Sequence, residues 1–181
     1  CDYAYWVRKG RVRIARQADT GREVTFRHLY PGDFFGEECL LDLPTCGVCA
    51  EAMDDTTLCL LRADDFRRIC RDVGLVSWKV SLYLCERVLR LEGAMAEFVF
   101  NPVRSRIASC LLYLVSREKS SEAPVVLHIT HQEIANLIGS TRETTSATLQ
   151  KMQAEGILSL GNRTVTVLDG DSLEREAKTA L

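Results

Sequence analysis

Residues 129–160 read ITHQEIANLIGSTRETTSATLQKMQAEGILSL, and this stretch decides the fold of the second half of the chain. Residues 130–133 have the spacing of a capping box at the start of a short helix. Gly139 then permits a tight turn into a second helix, which the pattern places at residues 140–154. A β-hairpin about residues 161–162 follows. Helix, glycine turn, helix and hairpin together predict a winged helix-turn-helix.

The second helix of this stretch carries side chains that suit the edges of base pairs. Arg142 can give a bidentate hydrogen bond to guanine, and Glu143 can accept one from the amino group of cytosine. Nearby hydroxyl groups suit bases or phosphates. The alternative leaves Arg142 as surface charge and places Glu143 in a second capping box with Ser140. The predicted DNA-binding residues are Arg142, Glu143, Ser146, Thr145, Thr141, His131, Lys151 and Arg163.

The charge of this half predicts weak DNA binding by a single copy. From Val103 onward, nine Lys and Arg residues balance nine Asp and Glu residues, whereas many DNA-binding domains are strongly basic. We therefore expect two copies to bind one palindromic site in double-stranded DNA. At its helix start, His131 either faces a phosphate or is a solvated surface side chain.

Short segments of alternating polarity, such as residues 3–7 and 23–29, fill the first third of the chain. Several short strands at this spacing predict an antiparallel barrel or roll. The fold class that we predict is therefore α+β, with a jelly-roll-like antiparallel β-roll at residues 1–75. We expect Trp6 and Trp78 to be core residues.

One long dimerisation helix is predicted at residues 76–100. Apolar residues recur along it at alternating spacings of four and three, which is typical of a coiled-coil seam. The alternative is an amphipathic helix that packs on its own β domain. Proline disfavours helix at the residue before it, so we place a hinge at residues 101–102 and the winged helix-turn-helix at 103–181. The predicted dimer-interface residues are Leu84, Val88, Leu91, Met95 and Phe98.

The composition is ordinary for a globular protein, with 46% hydrophobic residues, 27% charged residues and a net charge of −2. No apolar run approaches the ~20 residues that cross a bilayer, and no signal-peptide pattern opens the chain. We expect a cytoplasmic protein without a membrane partner. The chain begins with Cys1 and not methionine, so we expect its natural N-terminus to lie upstream. Nucleotide-loop, metalloprotease and serine-hydrolase motifs are absent from the sequence, and no enzyme is predicted.

Three segments of the sequence resemble the cyclic-AMP receptor / fumarate-nitrate regulator (CRP/FNR) superfamily of bacterial transcription regulators. The stretch QEIANLIGSTRETTSATLQKMQAEGIL resembles its winged helix, and FNPVRSRIASCLLYL resembles its hinge and the helix that follows. The stretches YAYWVRKGRVRI and LYPGDFFGEE resemble its cyclic-nucleotide-binding-like β-roll. The similarity spans nearly the whole chain.

The resemblance implies a homodimeric, sequence-specific DNA-binding regulator. In that family a ligand in the β-roll reorients the DNA-binding domains through the dimer helix, and the proteins contact RNA polymerase. Base contacts carry over to Arg142, Glu143 and Ser146. Some relatives have a further arginine where this chain has Ala147, so the half-site need not match theirs.

The effector pocket departs from the family pattern. Cyclic-AMP binders follow a Gly-Glu motif with an Arg-Ser or Arg-Thr pair that holds the phosphate. Here the Gly-Glu motif is present, but residues 44–48 read PTCGV, so no guanidinium is available there to neutralise a cyclic phosphate. We therefore expect an effector other than cyclic AMP. The predicted effector-pocket residues are Glu37, Cys46, Cys49, Leu91 and Glu92.

Cysteines are numerous in the sequence, which contains eight of them. Four lie where the nucleotide of relatives would bind, and four thiolates can hold an iron–sulfur cluster or zinc, while a Cys-x-x-Cys pair can sense oxidants. Haem is a further alternative, because the superfamily includes haem-bound sensors. The simpler interpretation is that these cysteines are small buried hydrophobic residues. The cofactor therefore stays unknown, and the protein could have no cofactor. A last alternative is a ligand-binding module without specific DNA binding. The predicted metal-ligand set is Cys39, Cys46, Cys49 and Cys59.

Overall fold

Alternating polarity in the first third of the chain produces short antiparallel strands in two sheets. The computed structural model describes residues 2–19, 21, 23–41, 47–117 and 124–178. The strands are β1 (Tyr3–Lys9), β2 (Val12–Gln17), β3 (Glu23–Leu29), β4 (Phe34–Phe35), β5 (Cys49–Ala52) and β6 (Thr57–Arg62). Within the described ranges, one sheet has the order β4-β1-β6 and the other β3-β2-β5, with every neighbouring pair antiparallel. This arrangement confirms the predicted β-roll.

Helices and one small sheet form the rest of the chain. The helices are α1 (Ala63–Asp72), α2 (Gly74–Phe100), α3 (Val103–Arg117), α4 (His131–Ile138), α5 (Arg142–Ala154) and α6 (Gly170–Lys178). The strands β7 (Val126–Leu127), β8 (Leu158–Gly161) and β9 (Thr164–Val167) pair in the order β7-β9-β8. Among the described helices, none has the length and apolar character needed to cross a membrane.

Two compact units divide the described chain, Cys1–Leu91 and Glu92–Leu181, and the division falls inside α2. The break between α2 and α3 lies at residues 101–102, where the sequence predicts the hinge. The division into units precedes that break because the last turns of α2 pack on the second unit. There the guanidinium of Arg106 lies 5.0 Å from the ring centroid of Phe98.

Aromatic packing closes one core of the β-roll. The ring of Trp6 stacks on Phe34 at a centroid distance of 5.5 Å and meets Phe66 edge-on at 5.6 Å. Trp6 therefore packs in the core, as predicted. The expectation for Trp78 is wrong: its side chain is 61% exposed on α2, so it lies outside the core.

An apolar core also supports the helix-turn-helix of the second unit. Side chains from α3, α4 and α5 meet there, and each of the following is 0% exposed: Ile107, Leu111, Ile134, Leu149 and Met152. Their burial agrees with the helical spacing of apolar residues in the sequence. The predicted winged helix-turn-helix is therefore confirmed.

The turn between α4 and α5 depends on Gly139. This residue has φ 62° and ψ 42°, the left-handed conformation that suits glycine at a helix C-terminus. The guanidinium of Arg106 donates a hydrogen bond to the Ile138 carbonyl at 2.6 Å. A Cβ atom at Gly139 would lie 2.9 Å from Cε2 of Phe98. The end of α2 and the start of α3 thus fix the corner of the helix-turn-helix.

We expect Gly139→Ala to destabilise the second unit by about 1–2 kcal/mol, because a Cβ atom is unfavourable at this left-handed φ. Thermal unfolding of the full chain followed by circular dichroism measures this change. Gly156→Ala is the matched control, since Gly156 has φ 77° and nothing within 4 Å of its virtual Cβ. Any destabilisation by Gly139→Ala beyond that of Gly156→Ala comes from the Phe98 contact. This additional loss of stability should vanish in a Phe98→Ala background. An unchanged transition for Gly139→Ala contradicts this account.

Candidate nucleic-acid interface

The second helix of the motif begins at Arg142 and not at Ser140 as predicted. Thr141 is its N-cap, and the Oγ1 atom of Thr141 accepts a hydrogen bond from the backbone N–H of Thr144 at 3.2 Å. Glu143 therefore does not form a capping box with Ser140, and that alternative is wrong. The predicted capping box of the first helix is confirmed, with Thr130 as the N-cap of α4.

The first turn of α5 presents charged side chains to solvent. Arg142 and Glu143 are exposed, and neither forms a side-chain hydrogen bond or ion pair with the described part of the chain. Gln150 is exposed further along the helix, and Ser146 is half-buried. A guanidinium and a carboxylate that are free at a helix start are available to base edges.

Thr145 does not belong to this surface, and its prediction as a DNA contact is wrong. Its side chain is 0% exposed, and its Oγ1 atom has no hydrogen-bond partner among the described residues. The physical reason is helical spacing, because Thr145 lies one turn before the buried Leu149 and so shares its inward face. The spacing of these two residues is a signal that the sequence contained.

A polar contact links the starts of the two helices. The Nδ1 atom of His131 lies 2.9 Å from the Oγ atom of Ser146. Burial lowers the pKa of His131, and the positive charge of Arg142 lowers it further. The imidazole is therefore neutral at pH 7. Neither sequence interpretation of His131 anticipated this contact, because its partner lies on the other helix.

Two further predicted cations lie at the surface around α5. Lys151 is exposed in the last turn of the helix. Arg163 is exposed at the tip of the β8–β9 hairpin with φ 57°, an uncommon value for a residue other than glycine. The hairpin is tied to α5 because the Gln153 side chain accepts a hydrogen bond from the Leu160 backbone N–H at 2.8 Å. Lys151 therefore lies on α5 itself, and Arg163 lies on a hairpin that is attached to α5.

Glu37 forms a buried charge cluster in the first unit. Its carboxylate, with a side chain 5% exposed, is ion-paired with Arg27 at 3.0 Å and also with Arg87. Arg27 donates a second hydrogen bond to the Tyr83 hydroxyl at 2.7 Å. Guanidinium groups are therefore present at the Gly-Glu motif, although the sequence around residues 44–48 has none. They come from β3 and α2, and no local pattern revealed them.

The charges of this cluster do not balance. Burial, together with the positive charge of Arg27, lowers the pKa of Arg87 to about 10, so the guanidinium stays protonated at neutral pH. Within the set of Arg27, Arg87 and Glu37, two cations face one carboxylate, which leaves an excess positive charge. Such an excess favours an anion nearby.

The other predicted effector residues are not gathered around Glu37 as a buried set. Cys49 is exposed on β5, Leu91 is 47% exposed on α2, and Glu92 is exposed in the second unit. Cys46 lies outside the described residues. Among the described members of the set, Glu37 alone is buried.

The described cysteines do not form a metal site. Cys39 is buried, whereas Cys49 and Cys59 are exposed on strands of different sheets. Over the ranges that the structure describes, no three His, Cys, Asp or Glu side chains lie together in a way that could hold a metal ion. Burial also raises the pKa of Cys39, which disfavours the thiolate that metals require. The prediction that these cysteines are small buried hydrophobic residues is confirmed for Cys39 and wrong for Cys49 and Cys59.

The predicted dimer seam lies on a helix with an apolar surface. No described side chain of α2 is fully buried, and Leu84 is half-buried. The remaining seam residues are exposed: Val88 52%, Leu91 47%, Met95 69% and Phe98 60%. Elsewhere on α2, partly buried side chains such as Tyr83 pack on the β-roll. The helix therefore packs on its own domain along one side and leaves the seam uncovered.

Comparisons with known proteins agree with both units. Residues 105–176 match the Crp-like helix-turn-helix domain, and residues 1–73 match the cyclic nucleotide-binding domain. The "Cyclic AMP receptor protein" of Thermus thermophilus is 34% identical, with 96% of this chain and 78% of that protein covered.

Solved structures give the same result. A transcriptional regulator of the CRP family from Thermus thermophilus has a TM-score of 0.82 and 31% identity, covering 99% of this chain and 90% of the other. The c-di-GMP responsive global regulator CLP of Xanthomonas campestris has a TM-score of 0.81 and 25% identity, covering 93% and 85%. The fold and the exposed first turn of α5 define a DNA-binding transcription regulator. This chain belongs to the CRP/FNR superfamily, and the relatives named here are regulators and not enzymes.

Proposed function

We propose that the protein is a homodimer whose two α5 helices bind the two halves of a palindromic DNA operator in the cytoplasm. The observation that carries this proposal is the first turn of α5. Arg142 and Glu143 are exposed there without partners among the described residues, while Leu149 and Met152 hold the opposite face in the core. The helix therefore presents base-reading groups in a fixed orientation.

Few cations are available to bind phosphates, which supports a requirement for two copies. Lys151 and Arg163 are exposed around α5, and the backbone N–H groups at its start favour an anion. A small number of phosphate contacts gives low affinity for one half-site. Two half-sites on one duplex combine these contacts. Contact with RNA polymerase, known in the superfamily, is part of the proposal.

Arg142→Ala should weaken binding to a selected palindromic duplex and relax discrimination at one base pair, at a cost of about 1–3 kcal/mol per half-site. Mobility shifts at low and moderate salt measure both effects. Thr145→Val is the matched control on the same helix. Its buried hydroxyl has no partner, so DNA affinity should not change and stability should rise by about 1 kcal/mol.

Two results would contradict the proposed mode of DNA reading. One is equal affinity of wild-type protein for the selected duplex and for a scrambled duplex. The other is an Arg142→Ala variant that keeps the full base preference of the wild type.

The dimer proposal is supported by the apolar surface of α2. Val88, Leu91 and Met95 are large apolar side chains that are about half exposed or more, at heptad spacing. A stripe of this kind is stable in water when a second helix covers it. A second copy of this chain is the proposed cover.

Leu91→Asp should shift the protein from dimer to monomer, because it places a charge in the centre of the seam. Sedimentation equilibrium measures the association constant. Leu89→Asp is the control, since Leu89 is 67% exposed but lies on another side of the same helix. If Leu89→Asp dissociated the dimer and Leu91→Asp did not, the interface would lie on the Leu89 side of α2, and the proposed seam would be contradicted.

The effector is proposed to be an anion other than cyclic AMP. The cluster around Glu37 contains two guanidiniums and one carboxylate, and an anion would neutralise the excess positive charge. Residues 44–48 supply no arginine for a cyclic phosphate. Relatives are named for different ligands, so family membership does not select one.

Cyclic AMP should leave the melting temperature of the full chain unchanged, because residues 44–48 supply no arginine for its phosphate. Differential scanning fluorimetry across a concentration series checks this. A saturable increase that Glu37→Gln abolishes would contradict the proposal. Glu51→Gln is the control, because it removes a carboxylate from an exposed ion pair with Arg13.

A further inference from the structure

The contact between His131 and Ser146 lies beside the base-reading groups, and the function proposed above does not use it. We propose that His131 is a specificity-determining residue: its Nδ1 atom accepts a hydrogen bond from the Ser146 hydroxyl, so that Ser146 presents only acceptor lone pairs to the DNA. Ser146 would then recognise the exocyclic amino group of adenine or cytosine. This inference rests on the proposed function, namely that α5 reads base edges.

Geometry supports the pairing of these two side chains. The Nδ1–Oγ distance of 2.9 Å is a normal hydrogen bond. His131 is the first residue of α4, and Ser146 is one turn beyond Arg142 on α5. Both side chains are half-buried, so each keeps part of its surface open to a ligand. Among the described residues, the Ser146 side chain forms no other hydrogen bond.

A neutral ring is the condition that allows Nδ1 of His131 to accept this hydrogen bond. A neutral imidazole has one nitrogen that donates and one that accepts, whereas a protonated ring donates from both. Partial burial and the nearby Arg142 keep His131 neutral at pH 7. Nδ1 can therefore act as the acceptor, with the remaining proton on Nε2. The other ring nitrogen then faces away from Ser146 as a donor.

A hydrogen-bonded serine reads DNA differently from a free one. A free hydroxyl rotates and can donate to a carbonyl or accept from an amino group, so it discriminates poorly. Once its proton is held by Nδ1, only the lone pairs of Oγ remain. In the major groove the amino groups of adenine and cytosine are donors, whereas O6 of guanine and O4 of thymine are acceptors. His131 thus converts an ambiguous contact into a selective one without touching the base.

The test uses the full-length chain and a palindromic duplex selected from a random library by the wild-type protein. The base pair read by Ser146 is the one at which Ser146→Ala loses discrimination. There the adenine is replaced by purine, or the cytosine by pyrimidin-2-one, to delete only the amino group. Fluorescence anisotropy gives the ratio of affinities for unmodified and amino-deleted duplexes.

Wild-type protein should bind the amino-deleted duplex about threefold to tenfold more weakly, the range expected for one hydrogen bond. His131→Phe keeps a ring but removes Nδ1, so its ratio should fall toward that of Ser146→Ala. In the double variant His131→Phe/Ser146→Ala, the effects of the two substitutions on this ratio should not add. His131→Asn should restore the ratio, since Oδ1, like Nδ1, is an acceptor bonded to Cγ.

His128→Phe controls for the chemical change itself, because His128 is an exposed histidine beyond β7 in the same unit. It should keep the wild-type ratio. A wild-type ratio near one, or a ratio that His131→Phe leaves unchanged, overturns the inference while sequence-specific binding stands. Loss of all sequence-specific binding by the wild-type protein would instead overturn the proposed function, so the two failures are distinguishable.

Discussion

The burial of one face of α5 is the constraint on which the DNA-binding surface depends. Leu149 and Met152 are completely buried, and burying a large apolar side chain contributes about 1.5–3 kcal/mol. Turning the helix to expose them would lose this energy and would place Arg142 in the core as an unpaired charge, which is costly. The orientation of the first turn of α5 is therefore fixed by packing on its opposite side.

Paired charges explain how a half with no net charge can still offer a site for DNA. Arg104 is bound to Glu155 and Glu176, so one cation and two of the acidic residues are held together. Glu155 follows the last residue of α5, about 20 Å of helix from Arg142 at 1.5 Å per residue. The count of charges along the sequence conceals this separation. Locally, the guanidinium of Arg142 has no competing carboxylate partner among the described residues.

The two units treat charge in opposite ways. In the first unit, the carboxylate of Glu37 is buried with two guanidiniums, and the cost of burying these ions is offset by their mutual attraction and by hydrogen bonds. In the second unit, Arg142 and Glu143 are left in water near the turn. Buried ions that are closely paired resist rearrangement, whereas exposed ones are available to a partner.

Local signals in the sequence determined the helix-turn-helix. These signals are the capping box at Thr130, the glycine at position 139 and the apolar spacing that ends in Leu149 and Met152. Each acts within a few residues, so each can be recognised from the sequence alone. Tertiary structure alone brought Arg27 and Arg87 to Glu37 and Ser146 to His131, because these partners lie on different elements. It also left Trp78 exposed on α2. Whether such a helix position is covered depends on distant segments that arrive only when the chain has folded.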